Sequence, residues 1–207
     1  LSGGTPGGGT YSGTGVTNGM FDPSVAGTGS HTITYDYVSP EGCTGSATST
    51  ITVTGLPMVS VSGPSRVCKN GGLEPLAGSP TGGVFSGPGV QGSDFNPSIV
   101  APGTYTVTYT YTDGSGCSNS STTDVVVDPL PAAPLITQNG CVLTATSSIT
   151  NANYSWFDQS GTLVGSGATL TTPCVGLNVY TVEGQDPATG CSSTSSEFVA
   201  SYVGLDE

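Results

Sequence analysis

The 207-residue chain predicts an all-β protein built of tandem β-sandwiches. Three observations carry that expectation. Short runs rich in Thr, Val, Tyr and Ile are separated by clusters of Gly, Pro, Asn and Asp, the pattern of strands joined by turns. Strong helix formers such as Lys, Glu and Arg are scarce. A glycine-rich phrase, TYSGTGV at residues 10–16, returns as VFSGPGV at residues 84–90.

The clearest strand is TYTVTYTY at residues 104–111, which places Tyr105, Val107, Tyr109 and Tyr111 on one face and the threonines on the other. The turn sequence DGSG at residues 113–116 follows, and STTDVVV then runs back as its partner. A second hairpin is predicted from HTITYDY at residues 31–37, through SPEG, to STITVTG beginning at Ser49.

The two hairpins belong to a repeat of 74 residues. Phe21 falls on Phe95, Pro23 on Pro97, Ile33 on Val107, Tyr35 on Tyr109, Cys43 on Cys117, Val53 on Val127 and Leu56-Pro57 on Leu130-Pro131. A one-residue slip near Pro6 and Pro80 then brings Leu1 onto Leu76. The repeated phrase therefore marks tandem domains, and its glycines suit tight turns or bulges. A phosphate-cradling loop would need a following helix and a lysine, and neither accompanies the glycines.

From about Ala132 the plan continues in different wording: NGCVLTATSS, then NYSWFDQSGTLVGSGATLTTPC, then NVYTVEGQDPATGC. Trp156 lies in a strand-like YSWF run before a DQSG turn, the place of a core tryptophan on a central strand of an immunoglobulin-like sandwich. The expected division is an incomplete domain at 1–57, complete domains at 58–131 and 132–203, and a linker remnant at 204–207. The lead-in MVSVSGPSRVCKNGGLEP at residues 58–75 has no counterpart in the first copy, so the first domain is expected to lack its N-terminal strand.

The phrases GGTYSGTGV, FDPSVAG, HTITYDY and EGCTGSAT resemble the Ig-like and PKD-like repeats of large secreted and cell-surface proteins of Bacteroidota. NYSWFDQSGTLVGSGATLTTP and YTVEGQDPATGC resemble a related Ig-like domain that stands near the end of such proteins. The ending SYVGLDE is similar to the linker before the sorting domain of type IX secretion cargo. The resemblance covers nearly the whole chain. It implies an extracellular or cell-surface location and is weak for activity, since such modules occur in adhesins, fibres and as spacers of extracellular enzymes.

Composition narrows the partners. Two basic residues, Arg66 and Lys69, stand against 14 acidic ones, for a net charge of -12. Nucleic acid is excluded as a natural ligand by the lack of clustered cations, and the charge opposes adsorption to anionic membranes. No run is long and apolar enough to span a bilayer, no leader resembles a signal peptide, and a processed form or a fragment is expected.

The cysteines predict an oxidising compartment. Cys68 and Cys117 are 49 residues apart and Cys141 and Cys191 are 50 apart, and each pair is expected to form an intradomain disulfide. A loop of that size contributes on the order of 4 kcal/mol in the chain-entropy model. Cys174 has no evident partner and competes with Cys191 for Cys141. Cys43 is left unpaired or intersubunit, its expected partner lying before residue 1. Zinc is disfavoured, because no two cysteines have ligand spacing and there is one histidine.

No catalytic residues, metal site or cofactor are predicted. His31 aligns with Tyr105 on a strand face and so is expected to be a sheet residue rather than a triad base. A carboxylate pair of the glycosidase kind is harder to exclude. Asp113, Asp158 and Asp186 sit in turn-like stretches, no dense Asp/Asn calcium loop occurs, and sequons stand at Asn119 and Asn153. The function expected is a structural or adhesive surface element that self-associates into a fibre, the gap in its first domain filled by a strand of a neighbour. The alternative is a noncatalytic spacer or carbohydrate-binding portion of a secreted enzyme. A host, surface or polysaccharide ligand is left unidentified.

Overall fold

The computed structural model describes residues 1–202, so the expected remnant at 204–207 lies outside the described residues. Among them, helix is confined to α1 (Pro23–Ala26) and a 3-10 turn at Pro97–Ile99. The chain is all-β, of the Ig-like sandwich kind. In its first part run β1 (Thr10–Ser12), β2 (Val16–Thr17), β3 (Met20–Phe21), β4 (Gly29–Val38) and β5 (Thr44–Val53). Then come β6 (Ser60–Ser62), β7 (Arg66–Cys68), β8 (Glu74–Pro75), β9 (Ala77–Ser79), β10 (Val84–Ser86), β11 (Val90–Gln91), β12 (Asp94–Phe95), β13 (Gly103–Thr112) and β14 (Ser118–Asp128). The last part holds β15 (Leu135–Asn139), β16 (Val142–Thr146), β17 (Asn153–Asp158), β18 (Leu163–Ser166), β19 (Thr169–Thr171), β20 (Leu177–Gln185), β21 (Ser192–Thr194) and β22 (Phe198–Ser201).

The described chain forms two compact units, one of Leu1–Met58 with Tyr111–Asn119, the other of Val59–Thr110 with the residues from Ser120 onward. In the first unit β1, β4 and β5 make a three-stranded antiparallel sheet and β2 pairs with β3. The hairpin β4–β5 is longer than the sequence suggested: its second strand starts at Thr44 rather than Ser49, and register runs from Gly29 opposite Val53 to Val38 opposite Thr44. In the second unit the equivalent sheet has four strands in the order β10-β13-β14-β7. The added strand β7 runs parallel to β14, with Val67 opposite Val127 and Cys68 opposite Asp128. The same unit contains β15-β16-β19 and a larger sheet in which β17 pairs with β18 and β20, and β20 with β21 and β22.

Two separate apolar clusters fill the second unit. One gathers Val67, Phe95, Val107, Val125 and Val127 from strands, together with Leu76 between β8 and β9. The other surrounds Trp156, which is fully buried and donates its indole N–H to the Gly167 carbonyl 2.9 Å away. Trp156 is thus a packed core residue, as the sequence indicated. The run Phe198–Ser201 pairs with β20, and its alternation leaves Ala200 buried and Val199 exposed.

The repeated glycine phrase has a steric cause. Gly13 and Gly87 take φ of +138° and +136°, and a Cβ on either would lie 2.6 or 2.5 Å from the carbonyl oxygen of Thr32 or Thr106. Beside them a tyrosine anchors each copy. Tyr35 donates its hydroxyl to the Pro6 carbonyl at 2.6 Å and accepts from the Gly9 N–H at 2.7 Å. Tyr109 repeats this with Pro80 at 2.5 Å and Gly83 at 2.7 Å. The phenol stitches the loop before β1 or β10 to the sheet, and Gly9 and Gly83 let the backbone lie against the ring.

Tyr109→Phe leaves a part-buried carbonyl and amide without their partner and is expected to cost about 1–3 kcal/mol. Gly87→Ala is expected to cost about 1–3 kcal/mol through backbone strain. Native-state amide exchange at Val107 and Val125 checks both, and protection equal to the parent chain would contradict the assignment.

Candidate assembly edge

Strand β5 is the outer strand of its sheet. Among the described residues no strand pairs with its free side. Its counterpart β14 carries β7 there, and Val67 of β7 covers the cluster beneath. The consequence is visible residue by residue. Phe95, Val125 and Val127 are buried, whereas their counterparts Phe21, Ile51 and Val53 are half-buried. Leu76 is 7% exposed and Leu1, its sequence partner, 40%. A groove lined by Gly4, Tyr11, Ile33, Tyr35, Ala47 and Ser49 opens on this sheet. Among the described residues β5 is thus an open strand edge beside a half-covered part of its core.

The disulfides differ from the expected ones. Cys68 is bonded to Cys191, not Cys117, and Cys141 to Cys174, not Cys191. Cys117 is a free thiol, and so is Cys43. The reason is strand geometry. Cys68 lies opposite Asp128 at the base of the β13–β14 hairpin, while Cys117 stands at its tip. Those ends of β14 are separated by roughly 35 Å at about 3.3 Å per residue. Cys141 and Cys174 flank the antiparallel pair β16–β19, where Val142 faces Thr171, which brings their Cα atoms to 5.2 Å. The bond Cys68–Cys191 spans 123 residues, for which the chain-entropy model gives about 5 kcal/mol.

The signal that sequence reasoning passed over is that Cys191 stands one further repeat of 74 residues beyond Cys117. Cys43, Cys117 and Cys191 all close the same turn. Ser39 N–H donates to the Cys43 carbonyl, Asp113 N–H to Cys117 and Asp186 N–H to Cys191. Around Cys191, Ser193 donates to the Pro131 carbonyl at 2.6 Å. Around Cys117, Asn119 donates to the Pro57 carbonyl at 2.9 Å, and the thiol lies 3.3 Å from Thr54 Oγ1. Pro131 and Asn119 plus one repeat reproduce the same contact, and Thr54 is the counterpart of Asp128.

The remaining charged groups serve turns and edges. Asp113 Oδ1 accepts from Ser115 and Cys117 N–H, and Asp186 Oδ1 from Ala188 N–H. Asp158 Oδ1 accepts from the Ser160 hydroxyl and from the Ser160 and Thr162 amides, which hold its carboxyl below the usual value of 3.8. The Ser24 hydroxyl and amide do the same for Asp22 at the start of α1. Arg66 Nε lies 2.8 Å from Asp128 Oδ2 as a charge pair rather than an aligned hydrogen bond. His31 lies on β4 opposite Ile51, its Nε2 2.8 Å from the Gly27 carbonyl oxygen. Among the described residues no three His, Cys, Asp or Glu side chains gather as a metal site.

These features define the class: an all-β chain of Ig-like sandwiches in which β5 is, among the described residues, an edge strand. No family model matches the chain, and no curated protein matches it. Among solved structures it is similar to a Ca2+-stabilized adhesin with which an Antarctic bacterium binds ice, at 14% identity and a TM-score of 0.45, covering 84% of this chain. The chain spans 56% of that adhesin's length. It is also similar to murine CEACAM1b, at 15% identity and a TM-score of 0.34, over 68% of this chain and 97% of that one. A third similarity is to SGBP-B of a Bacteroides ovatus mixed-linkage glucan utilization locus, in complex with a mixed-linkage heptasaccharide, at 17% identity and a TM-score of 0.23, over 93% and 60%. Similarity this distant carries no statement about what the present chain binds.

Peptide mapping without reduction is expected to recover Cys68 linked to Cys191 and Cys141 linked to Cys174, with Cys43 and Cys117 alkylated. A Cys68–Cys117 peptide would contradict the structure. A carboxylate whose folded pKa is lowered adds stability that is present above 3.8 and lost as pH falls through the folded value. The Asp158 carboxyl is therefore expected to titrate below 3.8 by NMR, and Asp158→Asn to flatten the acid limb of the stability profile. A midpoint at or above the ordinary value would contradict the turn assignment.

Proposed function

We propose that the protein is a noncatalytic structural or adhesive element of the cell surface or extracellular space, assembled into a fibre by strand complementation. The observation that carries this reading is the free side of β5 above a core that its own repeat leaves half-covered. Pairing a strand there satisfies a row of backbone donors and acceptors and buries Phe21, Ile51 and Val53, which is the energetic basis of strand addition. An exterior rich in Ser and Thr with a net charge of -12 suits an extended, soluble assembly. The three-module division at residues 1–57, 58–131 and 132–203 belongs to this reading. It is supported by the 74-residue recurrence and by the two separate clusters of the second unit. Disulfides favour an oxidising, extracellular location. Origin among Bacteroidota and export by type IX secretion rest on the sequence resemblance alone.

Electron microscopy of native material is expected to show filaments in which a strand of one molecule lies along β5 of the next. Unassociated single molecules, or a native mass that includes an attached catalytic domain, would contradict the proposal. The second outcome would favour the spacer role within a larger secreted enzyme.

A further inference from the structure

We infer that the chain has a tension-carrying function in which the Cys68–Cys191 bond is a covalent bypass, so that no pull along the chain can unravel the two buried clusters of the second unit. The inference rests on the reading of the protein as a structural or adhesive element, which supplies the pull, and adds how that pull is borne.

The topology of the bond carries the argument. It joins positions 123 residues apart whose Cα atoms are 5.5 Å from each other. A pull that enters the chain ahead of Cys68 and leaves it behind Cys191 therefore crosses the two sulfurs, the shortest covalent route. Inside the closed loop lie all the buried residues of the two clusters except Val67 and Ala200. Ahead of and behind it in the second unit are β6, β7, β21 and β22, each paired with a strand inside the loop. Peeling those four short strands lengthens the second unit by at most about 70 Å. Unravelling the loop would add about 400 Å, and the closed bond forbids it.

Both ends of the bond are seated. Beside Cys68, the Lys69 N–H donates to the Asp128 carbonyl at 3.0 Å, and Arg66, paired with the Asp128 carboxylate, donates to the Ala188 carbonyl at 3.4 Å. Beside Cys191, whose own N–H donates to Thr189 Oγ1 at 3.2 Å, Ser193 is held by Pro131. Disulfide exchange requires a thiolate to reach a sulfur, and the full burial of Cys191 withholds that sulfur. The second disulfide is the contrast. Cys141–Cys174 closes 33 residues, lies wholly inside the larger loop and ends on the exposed Cys174. It braces β16 against β19 and stands off the path of the pull.

The test is single-molecule stretching of the full chain from its two ends, with Cys43 and Cys117 blocked by alkylation. The oxidised parental chain is expected to release Leu1–Met58, at most about 200 Å, and the peeled ends of the second unit, and nothing longer. Cys68→Ser with Cys191→Ser is expected to add about 300 Å, the inner bond still holding its 33 residues. Cys141→Ser with Cys174→Ser is expected to leave the parental release unchanged, which separates a bypass from general stabilisation. A further arm needs no variant to fold: the parental chain is held under tension and then given a reducing dithiol. The bond passes to two protein thiols as the dithiol becomes a disulfide, and the chain is expected to lengthen by about 300–400 Å. Release of that length from the oxidised parental chain, or from the chain lacking Cys141 and Cys174, overturns the inference, and so does a dithiol that lengthens nothing. Single chains are measured, so native material without filaments overturns the fibre reading alone, and a full release from the oxidised chain overturns the bypass alone.

Discussion

The structure turns on one requirement: the outer strand of each long hairpin must have its free side and its inner face covered. β5 and β14 are corresponding strands in two copies, of 10 and 11 residues, with Ile51 and Val53 in the places of Val125 and Val127. In one, three residues of β7 cap the ladder and insert Val67, and the cluster beneath closes around Phe95 and Val107. In the other nothing described does so, and Phe21, Ile51 and Val53 are half-buried although Ile33, the counterpart of Val107, is buried. Burial of an aliphatic side chain contributes about 1.5–3 kcal/mol, so a single short strand decides whether such a small core is sufficient.

The second organising feature is how a sandwich with few large side chains fixes its loops. Tyrosine hydroxyls do it through backbone groups, Tyr35 to Pro6 and Gly9, and Tyr109 to Pro80 and Gly83. Asx-type acceptors do it at the turns, with Asp22 matched by Asn96 and Asp113 by Asp186. These are local devices that work with any exterior, and they account for Asp22, Asp113, Asp158 and Asp186; among the described residues no three acidic, His or Cys side chains gather as a metal site.

Most of the fold was legible from sequence because it rests on short-range signals. Period-two alternation placed Tyr105, Val107 and Tyr109, the YSWF run placed Trp156, and the 74-residue recurrence identified equivalent strands. The disulfides were not legible, and the reason is physical. Spacing within a repeat measures chain length, whereas bonding depends on which ends of a strand meet. Cys68 meets the base of β14 and Cys117 marks its tip, so similar separations of 49 and 50 residues were not evidence of pairing. The informative relation was Cys117 to Cys191, 74 residues apart, which places both at the close of the corresponding hairpin turn. The three-stranded first sheet was legible from the lead-in at residues 58–75, which has no counterpart in the first copy.

The central claim is that β5 is open where β14 is closed. Hydrogen exchange of the native protein measures this directly, by comparing β5 amides that do not bond β4 with the equivalent amides of β14. The account predicts fast exchange along the free side of β5 and strong protection of Val126 to Asp128 beside β7. Equal protection of the two strands in the isolated chain would contradict it.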